Sequence, residues 1–510
     1  MSIAITYSAQ LIGLKSEIVI IEVDISNGLH SFSVVGLGDR AVEESKDRIS
    51  AAIKNSGFVS PKQKNQKVVI SLAPADIRKE GPSFDLAMAL AYLKASGEVG
   101  FDPNEKLFLG ELSLEGNIRK INGLLPILCQ ASAHGFTSAF IPKDNEREAS
   151  LARNIKIYAV SSIKEIVDHL INRNSLDPIS IRNSVGYPAR RSREMTNDMS
   201  IIRGNETAKR GLEIAAAGAH NILMCGPPGT GKTMLAKSFC SILPELTYEQ
   251  SVEVTGIHSA AHALREDLII NPPFRSPHHT ASYPSIVGGG SFPKPGEITL
   301  AHRGVLFLDE FPEFDRSVIE ALRQPLEDRT ITISRARGVI TFPAQCILIA
   351  SMNPCPCGLG KEMGCVCSEK TLNHYKRKIS GPIMDRMDVW VSVTKIDYDK
   401  LSAKNTSDES SSAISARIIT ARLRQTKRFQ EKGIPIFYNS EMDAQNLDLC
   451  VKIADDARTI LKISAEKFGL SGRAFHRVIK VAQTIADLAR EEIIKKDFIL
   501  EALQYRQKIF

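Results

Sequence analysis

The sequence predicts a multidomain protein: an α+β unit, then an α/β unit with a parallel sheet, then a helical region. Three observations predict it. The chain has 510 residues, whereas one hydrophobic core usually serves about 100–200. Its middle carries three short apolar runs, Asn221–Cys225, Val305–Leu308 and Cys346–Ser351, the pattern of strands buried on both faces. Past residue 415, apolar residues recur at helical spacing in Ala416–Glu431, Asp455–Lys480 and Ala482–Glu492.

The N-terminal part mixes both periods. Glu17–Ile25 and Lys67–Leu72 are rich in β-branched residues and read as strands. Arg40–Ser56, ending on Gly57, reads as an amphipathic helix with a glycine stop, and Phe84–Lys94 and Ile127–His134 as two more. Asn172–Asn197 mixes Ser, Pro, Asn and Arg without periodicity and reads as a linker. Lys400–Ser415 reads as a mobile loop. The expected divisions are 1–172, a linker at 173–198, 199–396 and 397–510.

Composition excludes several classes. With 43% hydrophobic and 24% charged residues the chain is an ordinary globular one. No apolar run reaches the roughly 20 residues that span a bilayer, and the N-terminus lacks a signal-peptide pattern, so a cytoplasmic location without membrane contact is expected. A net charge of +7 permits nucleic-acid binding without requiring it. Nine cysteines in such a chain argue for metal or free thiols rather than disulfides.

The chemistry concentrates at the ends of the apolar runs. Gly226, Pro227, Pro228, Gly229, Thr230, Gly231, Lys232 and Thr233 follow the first run and precede the helical stretch Met234–Leu243. Glycines there let backbone N–H groups converge on phosphates, and the next helix adds its positive end. Lys232 is placed to meet the β- and γ-phosphates of ATP, and Thr233 to hold Mg²⁺. Asp309 and Glu310 end the second run, with Asp309 expected at Mg²⁺ and Glu310 as general base for water. Asn353 follows the third run and is expected to orient that water. Arg386 precedes the run Val389–Val393. Arg473 opens a helix, where a cation is poorly placed for the dipole unless it meets an anion. Thr330–Phe342 alternates about a glycine-containing centre and reads as a hairpin whose basic tip, Arg335 and Arg337, suits DNA phosphates. Pro244–Arg303 reads as a long insert. His278 and His279 within it suit hydrogen bonding better than metal. Cys355, Cys357, Cys365 and Cys367 form two C-x-C pairs that suit a tetrahedral Zn²⁺ site, although the spacing is tighter than C-x₂-C and reduced structural cysteines are the alternative.

On Ser33–Asp39, Gly218–Thr233, Phe274–Thr280, Pro295–Glu310, Asn353–Gly358 and Leu470–Leu488, the sequence resembles the ComM/YifB family of Mg-chelatase-like AAA+ proteins along its whole length. The resemblance implies an AAA+ ATPase core with a C-terminal helical lid, assembled as a homo-hexameric ring. Arg386 would then be the finger reaching a neighbour's γ-phosphate, and Arg473 the residue called sensor 2. The insert and the hairpin would face a central pore. It implies a DNA helicase driving branch migration on single-stranded and branched DNA during natural transformation, alongside recombination proteins. A Mg-chelatase-like ATPase remodelling a protein partner is the alternative. The N-terminal part resembles the Lon-protease (ribosomal S5 domain 2) fold, with Ser83 near the nucleophile position. Leu125 stands where the catalytic lysine is expected, so a non-proteolytic scaffold follows, serving DNA binding or ring assembly.

Overall fold

Side-chain alternation builds the first sheet. A computed structural model of the chain describes residues 3–79, 81–180, 197–264, 268–290, 294–335, 338–360, 364–395 and 409–506. β1 (Ala4–Ile12) and β2 (Lys15–Asn27) pair antiparallel, with Gly13 at φ 66° in the reversal. Val19, Ile21 and Val23 of β2 point into the core. β3 (Ser31–Val35), β4 (Gln66–Ala73) and β5 (Lys106–Phe108) extend the sheet. β6 (Glu111–Leu112) and β7 (Ile118–Arg119) make a separate antiparallel pair. β8 (Ser138–Pro142) and β9 (Lys156–Val160) complete the sheet order β3-β4-β2-β1-β5-β8-β9.

The described residues form two compact units, 1–189 with 248–269 and 190–247 with 270–510. In the first, the helix Arg40–Asn55 is capped by Asp39, which accepts from Val42 N–H, and buries Val42, Ile49, Ala52 and Ile53. The helix Asp85–Ala95 is buried nearly all round. Its Asp85 carboxylate is held by Ser45, Arg48 and the Leu112 N–H. The helix Tyr248–Ala260 also belongs to this unit, although in sequence it follows the phosphate-loop motif. Ser259 accepts from Gly123 N–H at 3.0 Å and donates to Glu148. The third expected helix runs from Leu124 to Ala131, earlier than expected. Leu125 is fully buried, with its N–H on Glu148. Lys79, four residues before Ser83, is also buried and spends its ammonium on the Pro74 carbonyl.

The second unit is built on five parallel strands. They are β10 (Ile222–Cys225), β11 (Phe274–Arg275), β14 (Val305–Leu308), β17 (Ile347–Met352) and β18 (Val389–Ser392), in the order β11-β14-β17-β10-β18. β10, β14 and β17 are buried at every residue, which is why they read as unbroken apolar runs. Two small antiparallel pairs lie outside this sheet. β12 (Gly288–Gly289) joins β13 (Lys294–Pro295), and β15 (Thr330–Arg335) joins β16 (Gly338–Pro343). β19 (Lys452–Ile453) and β20 (Ile493–Ile494) form a short parallel pair within the C-terminal helices.

The last hundred residues differ from expectation in two places. The helix expected from Ala416 spans Ser411–Glu431, because Ser410 caps it by accepting from Ala413 N–H. The two helices expected over Asp455–Lys480 and Ala482–Glu492 are instead Asp455–Phe468 and Gly472–Leu488, the second running through the expected break and ending before Glu492. Gly469 in the left-handed region ends the first, and Ser471 caps the second. Arg337, residues 400–408 of the expected loop and residues 181–196 of the expected linker lie outside the described residues. Among the described residues no helix is long and apolar enough to cross a membrane.

Candidate nucleotide and metal sites

The carboxyl ends of β10, β14 and β17 bring the expected groups together. Gly226 leaves β10 with its N–H on the Met352 carbonyl at 3.2 Å. A Cβ there would lie 2.1 Å from the Val393 carbonyl oxygen, so only glycine fits. Gly229 and Gly231 have φ values of 77° and 88°, which turn the loop into the helix Lys232–Ile242. Pro227 and Pro228 stiffen the turn, and Thr230 donates to the Pro227 carbonyl at 2.9 Å.

Lys232 is folded back into its own loop. Its ammonium donates to Gly226 O (2.7 Å), Pro227 O (2.9 Å) and Asn353 Oδ1 (3.2 Å). Burial lowers its pKa, partly opposed by Asp309. Three neutral acceptors satisfy the cation without neutralising it, which fits an anion site. Thr233 Oγ1 donates to Asp309 Oδ2 at 2.8 Å, while Ser351 Oγ and Glu310 N–H occupy Oδ1 (the latter at 3.0 Å). A hydroxyl beside a carboxylate at the start of the helix is the donor set that Mg²⁺ takes beside phosphates. Ser351 had no role in the sequence reading, yet as the penultimate residue of β17 its place beside β14 is a direct consequence of strand order.

Glu310 is held differently from Asp309. Its φ is 52°, rare for a residue with a side chain. This turn sends the carboxylate outward, 57% exposed, to within 3.4 Å of His279 Nδ1. A small cleft of about 50 Å³ opens between Glu310, Asn353, Cys355 and Tyr375. Tyr375, which no motif marked, donates to the Asn353 carbonyl at 3.0 Å. His278 meets Thr280 Oγ1 at 2.9 Å, the hydrogen bonding expected within the insert.

The two arginines sit elsewhere in the second unit. Arg386 is 7% exposed, with Nη1 on the Pro382 carbonyl at 2.8 Å and Nη2 on Glu327. Arg473 is the second residue of the helix Gly472–Leu488, its side chain 66% exposed and 3.5 Å from the same Glu327. Glu327 carries no motif, and only the folded chain reveals it. Arg335 pairs with Gly338 at the end of the expected hairpin.

The four cysteines converge. Their sulfurs all lie within 4.8 Å of one another, with Cys355–Cys357 at 3.2 Å, Cys357–Cys365 at 3.7 Å and Cys355–Cys365 at 3.5 Å. A tetrahedral Zn²⁺ with Zn–S of about 2.3 Å has sulfur–sulfur edges of about 3.8 Å, so the set fits such an ion. The Gly360 N–H on Cys355 Sγ (3.2 Å) and the Cys367 N–H on Cys365 Sγ (3.5 Å) favour thiolates. The Cys357 thiol is lowered to about 6, chiefly by the Leu359 backbone N–H, while its three neighbours are raised. The loop touches the nucleotide site, since a Cβ on Gly358 would lie 2.8 Å from Pro228 Cδ.

Known proteins match this chain throughout. It is 38% identical over 511 residues to the competence protein ComM of Haemophilus influenzae, covering 100% of this chain and 98% of that one. It is also 38% identical over 508 residues to the Escherichia coli protein YifB, covering 99% and 97%. The chain belongs to the ComM/YifB family. Family models match residues 198–401 (magnesium chelatase, subunit ChlI), 21–145 (subunit ChlI of Mg-chelatase) and 408–506 (magnesium chelatase, subunit ChlI C-terminal). The DNA replication licensing factor Mcm2 of Drosophila melanogaster is 27% identical over 198 residues, 39% of this chain and 19% of that one.

Proposed function

We propose that this family member is an ATP-dependent AAA+ motor that moves DNA as a homo-hexameric ring, promoting branch migration when incoming DNA recombines during natural transformation in the cytoplasm. The observation that carries the ATP site is the junction of Lys232, Asn353, Thr233 and Asp309 at three adjacent strand ends. ATP would supply the phosphoanhydride whose hydrolysis drives movement. Lys232 would exchange its loop carbonyls for phosphate oxygens, and Thr233 with Asp309 would hold Mg²⁺. Glu310, turned outward by its backbone, would polarise water that Asn353 orients. Arg386 and Arg473 pair away from these groups, on Glu327, which supports their acting on another copy's nucleotide.

The match to Mcm2 and the name of the Haemophilus relative favour DNA as the substrate, and the basic residues Arg335 and Arg337 would contact its phosphates without reading bases. The Mg-chelatase descriptions of the family models favour the alternative, a protein partner remodelled by the same ATPase. The N-terminal unit would serve as a non-proteolytic scaffold, because Leu125 and the committed Lys79 leave Ser83 without a lysine base among the described residues. The deciding experiment measures ATP hydrolysis with and without single-stranded and branched DNA, followed by a three-strand branch-migration assay. DNA should stimulate turnover, and Arg335→Ala/Arg337→Ala should remove the stimulation while sparing basal hydrolysis. No binding and no stimulation would exclude DNA and leave the protein-partner reading.

A further inference from the structure

Arg386 and Arg473 share one resident anion. Arg386 Nη2 meets Glu327 Oε2, and Arg473 Nη2 lies 3.5 Å from Oε1. Glu327 stands on the six-residue helix Arg323–Asp328, outside every nucleotide motif. The frame around Arg386 is fixed. Its carbonyl accepts from Arg477 Nη1 at 3.0 Å and from Asn221 Nδ2 at 3.3 Å. Its guanidinium is less settled, because among the described residues Nε is buried without a partner. A nearly buried guanidinium that lacks one of its bonds gains from any rearrangement that completes its set.

Guanidinium groups recognise carboxylates and phosphates by the same hydrogen-bond geometry. A carboxylate brings one negative charge, whereas a terminal phosphate brings about two and a third acceptor oxygen. The stronger anion therefore wins where both can reach. We propose that Glu327 is a built-in competitor: it holds Arg386 and Arg473 in the isolated chain until the terminal phosphate of a nucleotide on a second copy displaces it. The proposal rests on the reading of Arg386 as a group that acts between copies. Glu327 thereby keeps the finger withdrawn in a lone subunit and makes its release depend on a neighbour that carries nucleotide.

Two measurements test the grip, the first without nucleotide. Phenylglyoxal labelling of the isolated chain, read by mass spectrometry at Arg386 against Arg40 (side chain 92% exposed, its surface pair with Glu44 untouched by the substitution), should be about five-fold faster in Glu327→Gln, the change expected for losing one ion pair. The second is turnover against protein concentration. Glu327→Gln should reach its half-maximal rate at a several-fold lower protein concentration than wild type, and Glu327→Asp, a charge kept at a shorter reach, should fall between. Equal labelling of Arg386 in wild type and Glu327→Gln overturns the proposal. So does an unchanged or higher half-maximal concentration, which would make Glu327 a support for the active arrangement. Failure of the underlying reading has its own signature: Arg386→Ala would turn over ATP at the wild-type rate, whatever the labelling gives.

Discussion

Gly226 carries a constraint that its neighbours in the loop do not. At Gly229 and Gly231 a side chain would meet open space and suffer only the cost of positive φ. At Gly226 the added methyl would strike the Val393 carbonyl oxygen, part of the backbone just past β18. Gly226→Ala must therefore part β10 from β18 or shift the loop, at about 1–3 kcal/mol. We expect a lower unfolding temperature together with loss of nucleotide affinity, read by thermal unfolding and fluorescent-nucleotide titration. Gly229→Ala should lose less stability. Equal unfolding temperatures for Gly226→Ala and wild type would rule out the clash. The motif marks all these glycines alike in the sequence. Only the packing of β18 against the loop distinguishes them.

At the scale of elements, the C-terminal helix Gly472–Leu488 is locked to the sheet through Asp388. Burial alone would raise this carboxyl, but Arg477, His220 and Lys480 hold it far below the usual carboxylate range. Arg477 donates to it from the helix, and the Asn221 N–H from the start of β10 at 3.2 Å. In the unfolded chain an Asp titrates near about 3.9. The pair therefore contributes stability above about pH 4, and that contribution is lost as pH falls below it toward the depressed folded value. Asp388→Asn should cost about 3 kcal/mol at neutral pH, because it leaves Arg477 facing a neutral partner in a nearly buried place. The difference from wild type should shrink in denaturant melts carried below pH 4, and a constant difference across that range would contradict the assignment.

The cysteine loop makes a second element-scale case. Purified protein should carry about one equivalent of zinc, and Cys357→Ser/Cys367→Ser should lose it by elemental analysis. Because Gly358 touches Pro228, removing the metal with a chelator should also weaken nucleotide binding. Intact affinity after zinc loss would separate the two sites. In the sequence the two C-x-C pairs favour zinc, with reduced structural cysteines as the alternative. Sulfurs arranged near tetrahedral edge lengths are what favour the ion.

What could be read in advance followed from how each part is buried. Strands such as β10, β14 and β17 are covered on both faces, so their composition alone announces them, and the groups at their ends could be named one by one. The helix Tyr248–Ala260 is the opposite case. It buries Ser251, Thr255, Gly256 and Ser259 as well as Val254 and Ile257, so no apolar stripe shows where it belongs, and its membership of the first unit was invisible. Glu327 was missed for a related reason, since an acid on a short helix looks like any solvated residue until the arginines close on it.

At the scale of the whole molecule, the separation of Arg386 from the phosphate loop makes a claim about copies rather than about one chain. Lys232→Ala removes a subunit's own site but leaves its Arg386. Arg386→Ala keeps the site and removes the finger. Each variant alone should be inactive, with nucleotide binding retained only by Arg386→Ala. In mixed rings, an Arg386→Ala site beside a Lys232→Ala neighbour has every group it needs. Random equal mixing of a cyclic, head-to-tail ring places such a pair at about one interface in four. Turnover of the mixture should then recover to about a quarter of the wild-type rate, provided the subunits exchange during refolding or co-expression. A mixture as inactive as its components, in rings shown by native mass spectrometry to contain both chains, would place Arg386 in the service of its own subunit. The withdrawn arginine on Glu327 would then need another explanation.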